Sequence, residues 1–468
     1  MIPSVKCPRF VNRTSPLPQA SMLPSLVQTF LFWRWPHRYL EMRRNWHGSR
    51  FTMTPVGLPP SIFLSEEDDI KTVLTAPADI LHPGVGASVI SPLVGEKSFI
   101  ILDEDEHLMG RKAIMPAFHR KALREHTAAV VRVVERETAA WPTDEPFASH
   151  PYLRALALRV ILSTMFDVDD PRVSELHSHL LVLLSVTDSL VLQEPQLRRA
   201  PGWRRIWRRF SNERVVVDKI INSLLHKDTV VRHGALPLLL GASNPDATPF
   251  TRQQIRDGVM SLLLAGHETT ASQLAWTFQL IAHDKRVMRE LLSESDRGDD
   301  AYLKATLQEA MRHRPVFLCT IPRVLQQDFE VGGTTFRPPA HFLGCIHLLH
   351  HDPCLYNDPQ SFIPERFIDK PPRPHAWLPW GGGRKRCPGN HLALFEMQTV
   401  LRTVLARWEI LPVGRAVETA RWRSVIVTPA KGSRILLRAR RHTIGSANYQ
   451  PGSNEPDELA PADTVSTN

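Results

Sequence analysis

The chemistry of this chain centres on one cysteine. Cys387 ends the stretch Trp377-Leu378-Pro379-Trp380-Gly381-Gly382-Gly383-Arg384-Lys385-Arg386, which is dense in glycine and cations, and a helix start follows at Pro388-Gly389. The thiolate rather than the thiol binds metal, and nearby positive charge and a helix N-terminus both favour that form. Glycines at Gly381 to Gly383 let the backbone adopt positive φ and come close to a flat ligand. A second cluster, Ala265-Gly266-His267-Glu268-Thr269-Thr270, places small, acidic and hydroxyl side chains inside an otherwise apolar helical pattern. Glycine there costs about 1 kcal/mol relative to alanine, and threonine hydroxyls can bond back to the preceding turn. Two further pairs share helical faces: Glu309 with Arg312 at i,i+3, and His107 with Arg111 at i,i+4.

Another metal-capable cluster competes with Cys387. Cys345, His347, His350, His351 and Cys354 lie close together in the chain and would suit a zinc-stabilised binding module. They lack the paired C-x2-C spacing of structural zinc sites.

These residues must be held by a largely helical scaffold. Thr251-Arg252-Gln253-Gln254 has the spacing of a capping box and opens a helix whose apolar stripe runs through Ile255, Val259, Leu262, Leu263, Gly266 and Thr270. From Glu66 to about residue 325 the pattern is mostly helical, with Ser65 placed as an N-cap for the acidic run Glu66-Glu67-Asp68-Asp69. Phe51 to Val56 and Ser61 to Ser65, separated by Pro59-Pro60, read as a hairpin-like β unit. After residue 325 short β-like pieces alternate with Pro-rich loops, interrupted by a helix over about Gly389 to Trp408. Ser424 to Thr428 and Arg434 to Leu437 are strand candidates, and residues 441–468 read as a disordered C-terminal tail with little to bury.

Composition narrows the class. The 468 residues are 43% hydrophobic and 22% charged, which fits a packed globular protein. Five dispersed cysteines (Cys7, Cys319, Cys345, Cys354 and Cys387) do not form the even framework of a small secreted domain, and the first residues lack a signal-peptide pattern. A cytoplasmic location is therefore expected. The net charge of +9 comes without a basic run interleaved with aromatics, so no nucleic acid partner is expected. Met22 to Trp35 is broken by Pro24 and Arg34 and is too short to span a bilayer; it reads first as a helix packed on its own domain, while Leu26, Phe30 and Trp33 leave peripheral membrane contact open.

Trp380-Gly381-x-Gly383-x-Lys385-x-Cys387-x-Gly389 resembles the haem-binding loop of the cytochrome P450 family. Trp380 replaces the family's usual Phe, and Lys385 stands where Arg or His meets a haem propionate. The Ala265 to Thr270 cluster is similar to the family's (A/G)-G-x-(D/E)-T-T groove, Glu309 to Arg312 to its E-x-x-R helix, and Pro364-Glu365-Arg366-Phe367 to the segment that completes an ion-paired triad.

The resemblance runs over roughly residues 40 to 440. It implies a mainly α fold with a small β-rich lobe in one large domain (41–440) behind an N-terminal extension (1–40). It further implies haem b with Cys387 as axial iron ligand. His107, Arg111, Arg323 and Lys385 would contact the haem carboxylates, Ala265 and Gly266 would lie over its face, and Glu268 and Thr269 would support proton delivery. The reaction implied is insertion of one atom of O2 into a small apolar substrate, with pocket positions at 85–98, Val316 to Ile321 and Val425 to Thr428. No flavin or nicotinamide fingerprint is present, so a ferredoxin or flavodoxin with its NAD(P)H reductase is expected to supply electrons to a basic face formed by Arg384, Lys385, Arg386, Lys112, Arg120 and Lys121. Some relatives within the family run peroxygenase, isomerase or dehydratase reactions instead. Intact Glu268 and Thr269 favour oxygen chemistry.

Overall fold

The computed structural model describes residues 23–440 except 57–58, 119, 168, 187–200, 226–234 and 245, so the tail at 441–468 lies outside the described residues. Its axis is the helix Arg252–His283, 32 residues long and therefore about 48 Å from end to end. The capping box forms: Thr251 Oγ1 accepts from Gln254 N–H at 3.2 Å, and Gln254 Oε1 accepts from Thr251 N–H at 2.8 Å. Ile255 to Leu263 and Thr270 to Ala282 are buried all round, as expected of a helix enclosed by others. Helix Ser149–Ser163 packs along it most closely, and helices Ala301–His313 and Asn390–Arg407 flank its far half.

The β structure is small and peripheral, as the mainly α reading expected. A mixed five-stranded sheet runs in the order Arg50–Met53, Ser61–Leu64, His341–Gly344, Arg323–Leu325, Leu81–His82. Its first pair is the anticipated antiparallel unit, with Phe51 opposite Phe63. The strand Arg323–Leu325 lies inside this sheet, which fixes the backbone carrying Arg323. Arg434–Ala439 is the middle of a three-stranded sheet, and Ala420–Arg423 pairs with Ile426–Pro429. Trp276 Nε1–H donates to Val427 O at 3.0 Å and ties that hairpin to the long helix.

One local expectation is corrected. Helix Glu67–Thr75 is preceded by Glu66 at its N-cap, and Ser65 makes no cap. The Ser65 hydroxyl is buried and donates to Ser49 O at 3.1 Å, so strand pairing claims it first. Helix Pro36–His47 buries Tyr39 and Leu40 in the core.

Candidate active site

The cysteine loop is shaped by its glycines. Gly381 and Gly383 have φ of +65° and +64°, a conformation that disfavours any Cβ. A Cβ on Gly383 would stand 1.9 Å from Leu74 O, and one on Gly382 would stand 2.7 Å from Leu74 Cδ1. Those two glycines therefore serve close packing on helix Glu67–Thr75 rather than a ligand. Gly381 and Gly389 meet nothing within 4 Å and face open space. Cys387 N–H donates to Trp380 O at 2.9 Å and Arg386 N–H to Gly383 O at 3.0 Å, closing the loop on itself.

Burial pushes the Cys387 thiol up, against the pull of the Gly389 N–H, Arg111 and Arg386. The nearby cations and N–H do favour the thiolate, as expected, but in the chain alone desolvating a charge outweighs their attraction. A cation bound directly to sulfur overturns that balance.

The structure brings His107, Arg111, Arg323 and Lys385 to this loop. Arg111 Nη1 donates to Arg386 O at 2.6 Å. The His107 ring nitrogens lie 2.7 Å from Phe99 O and 3.1 Å from Arg384 O. Lys385 Nζ turns inward to the carbonyls of Phe99, Ile100 and Leu102 at 2.5 to 3.2 Å, and so leaves the basic face expected for an electron donor. Arg384, Arg386 and Lys112 remain exposed on that face, and the side chains of Arg120 and Lys121 lie outside the described residues. Burial lowers His107 to about 4, Lys385 to about 7 and Arg323 to about 10.

Among the described residues, no carboxylate forms an ion pair with Arg111, Arg323 or Lys385. Asp103, whose field reaches Arg323 and Lys385, spends its oxygens on the N–H groups of Gly84 and Val85 at 2.6 and 3.0 Å. A cleft lined by Leu74, Asp103, His107, Arg323, Arg384 and Lys385 opens between these groups. Partly buried cations without a counter-anion suit a ligand that carries carboxylates of its own.

On the long helix, one segment departs from burial. Ala265 is exposed and Leu264, Gly266, Glu268 and Thr269 are half-buried, while the residues on both sides are buried. Gly266 does not face the opening: a Cβ there would meet Ile161 at 3.0 and 3.1 Å, so its bareness lets helix Ser149–Ser163 come close. Thr269 Oγ1 donates to Ala265 O at 2.6 Å, the back-bond expected of a helical threonine. This segment adjoins the cysteine loop through Leu392, on the helix that follows Cys387, which shares an apolar cluster with Leu262 and Leu263.

Glu268 is held in a cage of two arginines and two histidines that spacing did not reveal. Its carboxylate lies 2.6 Å from Arg154 Nε, 3.3 Å from His150 Nε2, 3.3 Å from Arg423 Nε and 3.9 Å from His267 Nδ1. Burial alone would raise its pKa, but the His150 hydrogen bond and the Arg154 charge hold it well below the usual carboxylate range. His150 and Arg154 share a face at i,i+4 on helix Ser149–Ser163, the one local signal that could have found them. Arg423 comes from a distant hairpin.

Behind the loop, Glu309 takes two 2.7 Å hydrogen bonds from Arg312, and both side chains are fully buried. Arg366 Nε completes the triad at 3.4 Å from Glu309 Oε1. The competing histidine cluster is spent on scaffolding. His350 Nε2 accepts from Leu378 N–H at 2.8 Å, His351 Nδ1 lies 2.9 Å from His347 O, and His347 Nε2 pairs with Glu41 at 3.0 Å. Among the described residues, no group of three or more His, Cys, Asp or Glu side chains is arranged to hold a metal ion.

The sequence profile of the family described as Cytochrome P450 matches residues 16–437. The chain belongs to the cytochrome P450 family. Cytochrome P450 135B1 of Mycobacterium tuberculosis is 32% identical over 91% of this chain and 92% of its own length. Cytochrome P450 137 of the same organism is 32% identical over 86% of each chain. A solved structure of retinoic acid bound cyanobacterial CYP120A1 covers 91% of this chain and 100% of its own with a TM-score of 0.79, and its 22% identity speaks for the fold. A cytochrome P450 binds haem b through a cysteine thiolate, and this chain is accordingly a haem-thiolate monooxygenase. The donor set fits that group: one cysteine in the glycine loop, with basic side chains beside it that lack a carboxylate partner.

Proposed function

We propose that this chain inserts one atom of O2 into a C–H bond of a small apolar substrate and releases the other as water, consuming two electrons and two protons. Electrons come from a separate ferredoxin or flavodoxin with its NAD(P)H reductase, in the cytoplasm. The observation that carries the reading is the gathering of Arg111, Arg323 and Lys385 beside Cys387 without a carboxylate to pair with.

In this reading Cys387 would bind the iron as a thiolate, and Arg111, Arg323 and Lys385 would hold the two carboxylates of the haem, with His107 neutral at ordinary pH. A thiolate-ligated haem supplies the redox centre at which the O–O bond is cleaved. Ala265, exposed on the long helix, would bound the opening, while Gly266 backs onto Ile161 and lets the helices close behind it. Thr269 already gives its proton to Ala265 O, so its oxygen lone pairs are left to accept a hydrogen bond within the opening and hold a proton there. Caged by His150, Arg154 and Arg423, Glu268 stays ionised, and with Thr269 it supports proton delivery.

Of the expected pocket positions, Leu318 and Val427 are packed in the core, which leaves the exposed Val85 and Val425 as better candidates to meet substrate. Arg384, Arg386 and Lys112 present the docking charge, and steady-state reduction that did not slow with added salt would remove that part of the proposal.

The direct test is the optical spectrum of the reduced, carbon monoxide-treated holoprotein. The parent shows the red-shifted Soret band of thiolate ligation, and Cys387→Ser loses it. An unchanged band in the variant defeats the assignment.

A further inference from the structure

The first described helix, Ser25–Arg34, is built inside out. Its one fully buried side chain is polar: Gln28 donates to Thr54 Oγ1 at 3.0 Å and to Leu23 O at 2.8 Å, and accepts from Thr54 N–H at 3.0 Å. Its outer face is apolar. Leu26 is 74% exposed, Phe30 60% and Trp33 37%, at the i, i+4, i+7 spacing of one stripe, and Val27 and Trp35 border it. Val56, 45% exposed, is brought alongside by its N–H donating to Thr29 Oγ1 at 2.8 Å.

This helix is firmly seated. Phe32 packs on Trp422 with ring centroids 5.1 Å apart, and Trp422 Nε1–H donates to Phe32 O at 2.9 Å. The apolar stripe is therefore presented by the fold rather than left over by a detached segment. Contiguous exposed apolar surface of this kind marks an interaction site.

Charge identifies the occupant. Residues 1–40 contain Lys6, Arg9, Arg13, Arg34 and Arg38 and no acidic residue, the first being Glu41. Arg34 and Arg38 are exposed beside the stripe, with Arg34 lying 5.0 Å over the ring of Trp35. A second copy of this chain meeting the stripe across a two-fold axis would bring the two sets of cations together. An anionic lipid surface takes the apolar side chains into its headgroup boundary, satisfies the cations and suits the tryptophans at the border. We infer that the Leu26-Phe30-Trp33 face of helix Ser25–Arg34 docks the folded enzyme onto anionic membrane surfaces, without spanning them. Among the described residues, no helix is long and apolar enough to cross a membrane.

The test is flotation of the purified holoprotein with phosphatidylcholine vesicles, with and without phosphatidylglycerol, at low and high salt. The parent floats with the phosphatidylglycerol vesicles and less so in high salt, and the Leu26→Glu, Phe30→Glu double variant binds at least about tenfold more weakly. Both altered side chains are exposed, so the variant keeps the parent's ellipticity and haem spectrum. Phe30→Ala with Trp33→Ala gives a second, uncharged variant that also loses flotation. Absence of parent flotation at low salt overturns the inference, as does undiminished flotation of either variant. A parent that self-associates or captures an acidic redox protein through this face, while failing to float, assigns the stripe to protein and overturns it equally.

Discussion

Replacing Glu309 by glutamine tests the scaffold behind the cysteine loop with almost no change of shape. Arg312 is fully buried, and both of its 2.7 Å bonds to Glu309 are charge-assisted. Glutamine keeps one acceptor but turns an NH2 toward the donors that surround the site, which include Arg312, Arg366 Nε and Ile363 N–H. Arg312 would retain only neutral carbonyls, those of His350, Pro359 and Ser361 at 2.7 to 3.1 Å. Leaving one buried charge unpaired costs about 3 to 5 kcal/mol, against a total stability on the order of 5 to 15 kcal/mol. The damage reaches the active site through His350, which holds Leu378 N–H at the root of the cysteine loop. Urea denaturation followed by ellipticity should show the loss, and the haem-to-protein ratio should fall with it. Adding Arg312→Met should cost less than the sum of the two changes, because the second removes the charge that the first left bare. A Glu309→Gln variant within about 1 kcal/mol of the parent, loaded normally with haem, would refute the reasoning, since that is the scale of an ordinary surface change.

Thr269→Ala should leave haem binding intact and lower the product formed per electron consumed, with unchanged coupling counting against a role for the hydroxyl. Arg323→Leu should weaken haem retention measurably in a competition with apomyoglobin, whereas equal retention would show that the cation serves the sheet alone. Burial holds His177 and His351 at about 4 and His267 at about 3. Their folded values lie below the unfolded value of about 6.5, so the unfolded chain binds more protons between the two. Stability should be full above that unfolded value and fall as the pH drops through the window, by on the order of 2 kcal/mol per histidine at pH 5. Denaturation midpoints that are equal at pH 7 and pH 5 would contradict this.

Much of this protein was legible wherever function depends on neighbours in the chain. The capping box at Thr251, the Glu309-x-x-Arg312 pair and the Cys387 loop each lie within a few residues, and local spacing alone sets their geometry. The order of those motifs carried the mainly α fold and the haem-thiolate reading together. Tertiary structure alone decided the rest. Gly266 looked like room for a flat ligand, but it makes room for Ile161. Lys385, expected on an outward basic face, is drawn inward by three carbonyls of a loop far away in sequence. Glu268 acquired its cage from helix Ser149–Ser163 and the Ala420–Arg423 strand. Burial of Cys387 outweighs the pull of its neighbouring cations, which still favour the thiolate. In each case the deciding quantity is close packing, a backbone acceptor or charge from a distant segment, or desolvation, and all of these depend on which surfaces meet when the chain closes on itself, whatever residues lie next to one another along it.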